Sequence, residues 1–274
     1  MKILVTGGAG FIGSHTVDLL IERGHSVTVL DALVEQVHGA DNNLPAYLNP
    51  KAKVIVGRVE DPSMVSHALN DIDSVIHLAA AVGVGQSMYE IVDYCRTNIM
   101  GTANLLQCIV DRKLALTSMV VASSMSAYGE GSCRNSKGQI VNARVRGEQQ
   151  LAAGDWDLRD TDGDILEPVP TDENKPLNPT SVYAVNKRDQ EEMFLSVGAA
   201  YKIPSTALRF FNVYGSRQAL SNPYTGVAAI FCARLLKGRS PLIFEDGLQR
   251  RDFVHVHDVA RAIVTAAEKP AAHR

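Results

Sequence analysis

Lys2-Ile3-Leu4-Val5-Thr6-Gly7-Gly8-Ala9-Gly10-Phe11-Ile12-Gly13-Ser14-His15 opens the chain. Ile3–Val5 is a short apolar run of strand type, and His15–Arg23 has helical spacing, so the glycines fall in a strand-to-helix turn. Gly8-x-Gly10-x-x-Gly13 satisfies the dinucleotide fingerprint. A pyrophosphate requires a tight turn, backbone N–H groups that approach it closely, and a helix packed hard against its strand. A glycine-rich turn can also be purely structural. Asp31 supplies what glycines alone lack: it follows the apolar run Val27–Leu30, 18 residues past Gly13, where an acid accepts hydrogen bonds from an adenosine ribose. An acid repels a 2′-phosphate, and Ala32-Leu33 offers no arginine to receive one, so NAD is expected rather than NADP.

Outward from this turn the rhythm repeats. Lys53–Val56, Ser74–His77, Ser118–Ala122 and Ser205–Phe210 read as strands, alternating with helical stretches at Ser63–Leu69, Thr102–Arg112 and Ala184–Tyr201. That alternation predicts an α/β fold, a doubly wound, mostly parallel sheet with helices on both faces. Residues 1–211 are expected to form the cofactor domain, and 212–274 a smaller substrate part. One segment, about 130–172, is polar and weakly periodic, which suits either a solvated excursion or a cover for a substrate site. Its Asp160-Thr161-Asp162-Gly163 core invites a calcium reading, but Leu158 and Val169 stand where an EF-hand loop needs acids. Trp156 within it reads equally as a packing anchor or a sugar-stacking platform.

Chemistry enters with two further stretches. Ser123-Ser124-Met125-Ser126-Ala127-Tyr128-Gly129 follows an apolar strand and so lies at its carboxyl end, where doubly wound sheets bind ligands. Tyr183 and Lys187, in Tyr183-Ala184-Val185-Asn186-Lys187, are four apart and share a helix face. A phenol is a poor base at neutral pH, and a nearby ammonium together with a positive nicotinamide ring is expected to lower its pKa. Ser124 would then hydrogen-bond the reacting oxygen. Tyr183, Lys187 and Ser124 are the catalytic candidates.

Bulk properties narrow the alternatives. The 274 residues are 46% hydrophobic and 21% charged, with a net charge of -3, so no basic field favours nucleic acid. Cys95, Cys108, Cys133 and Cys232 are widely spaced, which suits reduced thiols better than disulfides or a zinc site. Neither a signal peptide nor a membrane span is expected, and the cytoplasm is the default. His255 and His257 alternate on a strand-like run beside Asp258, but sequence places no third ligand, so no metal is expected.

The stretches TGGAGFIGSH, HLAAAVGVGQS, Asn98-x-x-Gly101-Thr102, SSMSAYG, YAVNK, LRFFNVYGSRQ and DGLQRRDFVHVHDVA together resemble the extended short-chain dehydrogenase/reductases, and within them the nucleotide-sugar epimerases. The resemblance spans nearly the whole chain. It implies NAD contacts at Gly7, Gly10, Phe11, Ile12, Gly13, Asp31, Val59, Leu78, Ala79, Ala80, Val82, Asn98, Tyr183 and Lys187. It implies substrate contacts at Ser124, Ser126, Asn212, Arg217 and Arg251. Asp252 also reads as a simple ion-pair partner of Arg251.

Related dehydratases carry an acid pair after the catalytic serine or threonine, where this chain has Met125 and Ser126. Elimination of water thus lacks its acid and base, which points to 4-epimerisation through a transient 4-keto sugar. A one-way 4-ketoreductase and a non-catalytic NAD sensor are the alternatives. AAAVGVGQSMYEI and YGSRQALSNPYTG further resemble the dTDP-L-rhamnose 4-epimerase branch, with a dTDP- or UDP-linked sugar as substrate. Two departures stand out: Arg58 occupies a position where members often place an aspartate against the adenine, and members continue for several dozen residues beyond the point matching Arg274. The resemblance also implies a homodimer, paired through the Tyr183-bearing helix and the one after Asn98.

Overall fold

In the computed structural model, residues 1–40, 43–219 and 226–269 are described. Part of the YGSRQALSNPYTG stretch and the end at Arg274 lie outside the described residues. The strands in chain order are β1 (Lys2–Thr6), β2 (Ser26–Asp31), β3 (Lys53–Val56), β4 (Ser74–His77), β5 (Ser118–Ser124), β6 (Ser132–Arg134), β7 (Ile140–Asn142), β8 (Glu167–Pro168), β9 (Ser205–Phe210), β10 (Asn212–Tyr214) and β11 (Phe253–His255). The helices are α1 (Phe11–Glu22), α2 (Glu35–His38), α3 (Pro62–Ala68), α4 (Val84–Ser87), α5 (Ile91–Tyr94), α6 (Gly101–Asp111), α7 (Glu148–Ala152), α8 (Val182–Tyr201), α9 (Val227–Leu236) and α10 (Val256–Glu268).

Six strands form one parallel sheet in the order β3-β2-β1-β4-β5-β9. All six runs read as strands from sequence lie in it. β4 and β5 are buried along their whole length, so their apolar residues Val75-Ile76 and Met119–Ala122 run consecutively rather than alternating. Successive residues of β1 still point to opposite faces. Leu4 joins Leu30, Val75, Met119, Leu105, Ile109 and Phe194 under α3, α6 and α8, while Ile3 and Val5 join Val17, Leu20, Ile76 and Val120 under α1 and α10. Strand order reverses between β1 and β4, and the crevice outside their carboxyl ends is the ligand position of such sheets.

The helix ends follow their capping chemistry. The Asp61 carboxylate accepts from Ser63 N at 2.8 Å at the start of α3, with Pro62 as the first helical residue. Ser181 Oγ accepts from Ala184 N at 3.1 Å at the start of α8, and Lys202 ends that helix in the left-handed region.

Beyond β9 the packing does not follow the chain in order. The expected division falls between β9 and β10, yet α10 returns to the first layer: Val259, Ile263 and Val264 are buried against Ile3, Val5 and Leu20. β10 and β11 pair in parallel outside the main sheet. The polar segment is built rather than loose. β6 pairs antiparallel with β7 and β8, and Arg146 ties the segment to Glu245 at 3.0 Å. Its Asp160–Asp164 tip closes on itself, since Asp160 Oδ1 accepts from Asp162 N and Asp164 N at 3.0 and 2.9 Å. Trp156 is half-buried and its carbonyl accepts from Arg146.

Candidate active site at the carboxyl ends of the strands

The glycine turn excludes side chains at Gly7 and Gly13. A Cβ on Gly13 would stand 2.1 Å from the Gly7 carbonyl oxygen, and one on Gly7, whose φ is +69°, would stand 2.7 Å from Ala79 N. α1 therefore presses against the β1 turn, and Leu78 to Ala80, following β4, press against it from the other side. No side chain caps α1 at Gly10, so the first-turn N–H groups around Phe11 and Ile12 remain for an anion. Asp31 ends β2 beside them: Oδ2 accepts from Ala9 N and Oδ1 from Leu33 N, each at 2.9 Å. Each oxygen keeps a lone pair for a hydroxyl donor. A backbone cradle, a buried carboxylate and a glycine clearance fit a dinucleotide.

Asn98 is placed by an uncommon device. Cys95–Met100 winds as a π-helix between α5 and α6, a local widening frequent at functional sites. It directs the fully buried Asn98 at Ala81, accepting from Ala81 N at 2.8 Å and donating to Ala81 O at 3.1 Å. The backbone after Ala80 is thereby fixed at the crevice. Val82 is exposed, whereas Val59 is buried in the core and meets Gly101, so their side chains stand in different surroundings.

Ser124 and Tyr183 meet at the end of β5, and Lys187 reaches Ala122 of the same strand. Ser124 Oγ accepts from Ser126 N at 3.1 Å, which leaves its own hydrogen for Tyr183, with which it is hydrogen-bonded. Tyr183 N in turn is held by Ser87 Oγ at 3.0 Å. Lys187 Nζ donates to Ala122 O and to Gln190 Oε1, both at 2.7 Å, leaving one hydrogen for a ligand. The expected lowering of the Tyr183 pKa by Lys187 is not what the structure shows. Burial pushes the phenol above its ordinary value, and the Ser124 hydrogen bond pulls it partly back. Burial likewise brings Lys187 down to about 7, so its ammonium is a weaker electrostatic neighbour than its residue type suggests.

Sequence reasoning missed the chain of polar groups behind Lys187. Thr102 Oγ1 donates to Asn98 O at 2.5 Å, so its oxygen accepts from His77 Nε2 at 2.9 Å and from Gln190 Nε2 at 2.8 Å. His77 Nδ1 is then the bare nitrogen and accepts from Thr6 Oγ1 at 2.7 Å, while Thr6 Oγ1 accepts from Ala79 N at 3.2 Å. The ring is a single neutral tautomer, stacked at 7° on Phe194, and desolvation followed by the Lys187 charge lowers its pKa to about 3. Only the histidine of His77-Leu78-Ala79-Ala80 hinted at this network in the sequence.

The expected substrate residues are distributed differently. Asn212 Nδ2 reaches Met125 Sδ at 3.6 Å and Asp252 O at 2.9 Å, placing it beside the Ser124 turn. Arg217 pairs with Asp18 at 2.7 Å and lies over the Tyr47 ring, whose hydroxyl donates to Ala9 O, so it stands by the glycine turn. Arg251 is exposed and bonds Arg250 O and Gln249 Oε1 rather than Asp252. The strand-like run to His257 is corrected: β11 stops at His255, whose Nδ1 accepts from His257 N at the start of α10, and the two rings meet edge-on at 4.7 Å.

The chain resembles known proteins over almost its full length. It is 40% identical to a dTDP-L-rhamnose 4-epimerase of Burkholderia thailandensis over 275 aligned positions, covering 99% of this chain and 74% of that relative. Among solved structures it matches a UDP-glucose 4-epimerase of Thermotoga maritima with UDP-glucose, with a TM-score of 0.76 and 34% identity, covering 97% of this chain and 73% of that one. It also matches a UDP-glucose 4-epimerase of Thermus thermophilus complexed with NAD, with a TM-score of 0.72 and 30% identity over 97% of this chain and 74% of that one. The family model for NAD dependent epimerase/dehydratases matches residues 3–146 and 162–274. With the dinucleotide cradle after β1, Ser124 ending β5 and Tyr183 and Lys187 on α8 beside it, the chain belongs to the NAD dependent epimerase/dehydratase family.

Proposed function

We propose that the chain is a nucleotide-sugar 4-epimerase working through a transient 4-keto sugar. The observation that carries this reading is the Ser124–Tyr183 hydrogen bond at the open end of β5, followed by Met125 and Ser126 where an elimination would need an acid and a base. Tyr183 accepts the proton of the sugar 4-hydroxyl, and Ser124 steadies that oxygen by hydrogen bonding. The Gly7–Gly13 turn, Asp31, the Leu78–Ala81 backbone, Asn98, Tyr183 and Lys187 would hold NAD, which would supply reversible hydride chemistry at C4. Tyr183 then returns its proton to the oxygen on the opposite configuration, so the cycle is balanced and consumes no cofactor. Relatives named for dTDP-L-rhamnose and UDP-glucose support a dTDP- or UDP-linked sugar, with Ser126 and Asn212 beside the reacting end and Arg251 toward the diphosphate, while Arg217 stands by the glycine turn.

The same reading takes residues 1–211 with α10 as the cofactor unit and assigns the remainder from Asn212 to the substrate. It also includes a homodimer. Val92 and Met100 are 66% and 55% exposed and Ile91 and Val185 lie open beside them, an apolar face suited to a second copy. Four free cysteines suit a reducing compartment, the cytoplasm; among the described residues no helix is long and apolar enough to cross a membrane. Incubation with a panel of dTDP- and UDP-sugars, with C4 configuration followed by NMR, tests the activity. Equilibration of two C4 epimers without added reductant is expected. Conversion only with stoichiometric NADH would make the chain a ketoreductase, and inertness toward all sugars despite bound NAD would make it a sensor.

A further inference from the structure

Arg209 stands on β9 in register with Ser123 of β5, one residue before Ser124. Ala207, two residues earlier, packs in the layer under α8, and alternation along the strand puts Arg209 on that same side. There its guanidinium meets two pieces of the catalytic apparatus at once. Toward α8, Nε donates to Glu191 Oε2 at 3.0 Å and Nη2 to Oε1 at 2.6 Å, a bidentate pair on a carboxylate only 6% exposed. Toward the turn after Ser124, Nη1 donates to the Tyr128 hydroxyl at 2.9 Å, and also to Glu173 O at 3.2 Å in the segment leading to α8. The guanidinium carbon lies 4.9 Å from the centre of the buried Tyr128 ring.

Each partner leads to a reacting group. Tyr128 closes the 3₁₀ turn Met125–Tyr128, which the Ser124 hydroxyl caps. Glu191 follows Lys187 by four residues and Tyr183 by eight, so the three share one face of α8. The layers close without the ion pair: Met119, Val121 and Ala207 of the sheet pack with Phe194 and Val197 of α8. A buried ion pair adds little net stability, because desolvation offsets the attraction. What a planar fork of fixed donors adds is direction. A rigid link between turn and helix fixes the separation of Ser124 Oγ and the Tyr183 hydroxyl. Reacting groups displaced by about 1 Å lose up to about 10²-fold in rate.

We propose that Arg209 is a positioning residue for the reaction, anchored on Glu191 and Tyr128, which holds the Ser124 turn at a fixed distance from Tyr183. The inference rests on the epimerase reading of Ser124 and Tyr183. Arg209 acts only through those two side chains.

Steady-state kinetics of the full chain with its cofactor, on a nucleotide sugar that the parent epimerises, test this. Tyr128→Phe removes one acceptor and keeps both the ring and the Glu191 pair. We expect kcat to fall about tenfold while KM, NAD affinity and the melting temperature stay near the parent values. In a Ser124→Ala background, where the positioned hydroxyl is already gone, Tyr128→Phe lowers kcat little further. Arg209→Met combined with Glu191→Leu replaces the ion pair by apolar groups, and should melt within a few degrees of the parent yet lose kcat at least as Tyr128→Phe does. Should that double variant fail to melt cooperatively, Arg209→Lys, which keeps a charge opposite Glu191 but not the fork, is read in its place. Parental kcat in Tyr128→Phe, or an undiminished Tyr128→Phe loss in the Ser124→Ala background, overturns the proposal and leaves the epimerase reading standing. Melting temperatures that fall in step with kcat across the series assign Arg209 to the fold alone and likewise overturn it. A parent chain inert toward every nucleotide sugar overturns the epimerase reading and the proposal together.

Discussion

Lys187 gives one N–H to the side-chain carbonyl of Gln190 at 2.7 Å, and the two lie three residues apart on the buried face of α8. Among the described residues that carbonyl is the only side-chain acceptor on the ammonium, the other acceptor being the Ala122 backbone. Gln190 therefore sets how readily Lys187 holds its proton. We expect Gln190→Leu to move the pH midpoint of Lys187-dependent NAD binding downward, and Gln190→Glu to move it upward, by about one unit each. Opposite shifts in a binding-against-pH series check the assignment. A purely structural Gln190 would lower affinity in both variants without separating their midpoints.

Tyr183→Phe should abolish turnover while NAD still binds, because the ring fills the same space and only the proton acceptor is lost. Loss of a general base costs about 10²–10⁴-fold in rate. Single-turnover reduction of a 4-keto sugar with NADH, alongside NAD titration, separates the two effects. Lys187→Met should damage both quantities, since the ammonium retains one hydrogen for a ligand. Normal turnover in Tyr183→Phe would require another base.

Gly13 and Gly10 should respond differently to alanine. A Cβ on Gly13 meets the Gly7 carbonyl at 2.1 Å and Gly8 Cα at 2.7 Å, contacts that neither backbone can relieve without moving α1. Gly13→Ala should lower the melting temperature by several degrees, with about 2–4 °C lost per kcal/mol in a chain of this size. On Gly10 the nearest atom, Gly7 O, is 3.4 Å away, so Gly10→Ala should keep its melting temperature and lose NAD affinity. Thermal melts and titrations on both variants decide this.

Acid should unfold the protein partly through His77. Its native pKa of about 3 lies below the ordinary 6.5, so between these values the unfolded state binds the extra proton. Stability present above pH 6.5 is lost as pH falls through that window, at about 1.4 kcal/mol per unit when the group is fully linked. Lys187, lowered from 10.5 to about 7, acts in the same sense at higher pH, with stability rising between those two values. Imidazole NMR shifts provide the check: the His77 ring should stay neutral in the folded protein at pH 4.5, while denaturation midpoints fall.

Much of this architecture is legible in the chain because local patterns and tertiary packing agree. Val27–Leu30 and Ser118–Ala122 are apolar runs and become buried strands, and Asp31 ends its strand as the spacing requires. Tyr183 and Lys187 share a face because a helix places residues four apart together. The rest depends on contacts between distant residues. His38 reads as an ordinary polar residue until a turn folds it against Asp31, and Gln190, Thr102 and Thr6 acquire roles only once α8, α6 and β1 converge on His77. The phenol's environment is a matter of burial, which adjacent residue types do not report. His255 and His257 resemble a continuing strand because the stop signal is a side chain turning back to cap the next helix.

The widened turn at Cys95–Met100 makes the register of the whole neighbourhood depend on one surplus residue. An ordinary α-helix advances about 100° per residue, so deleting a single position there would swing Asn98 away from Ala81 by roughly that angle. The exposed Val92 and Met100 would also lose their alignment. This segment should therefore tolerate substitution of its outward side chains far better than any change in its length. Insertion and deletion scanning, rather than point mutation, is the way to find its limits.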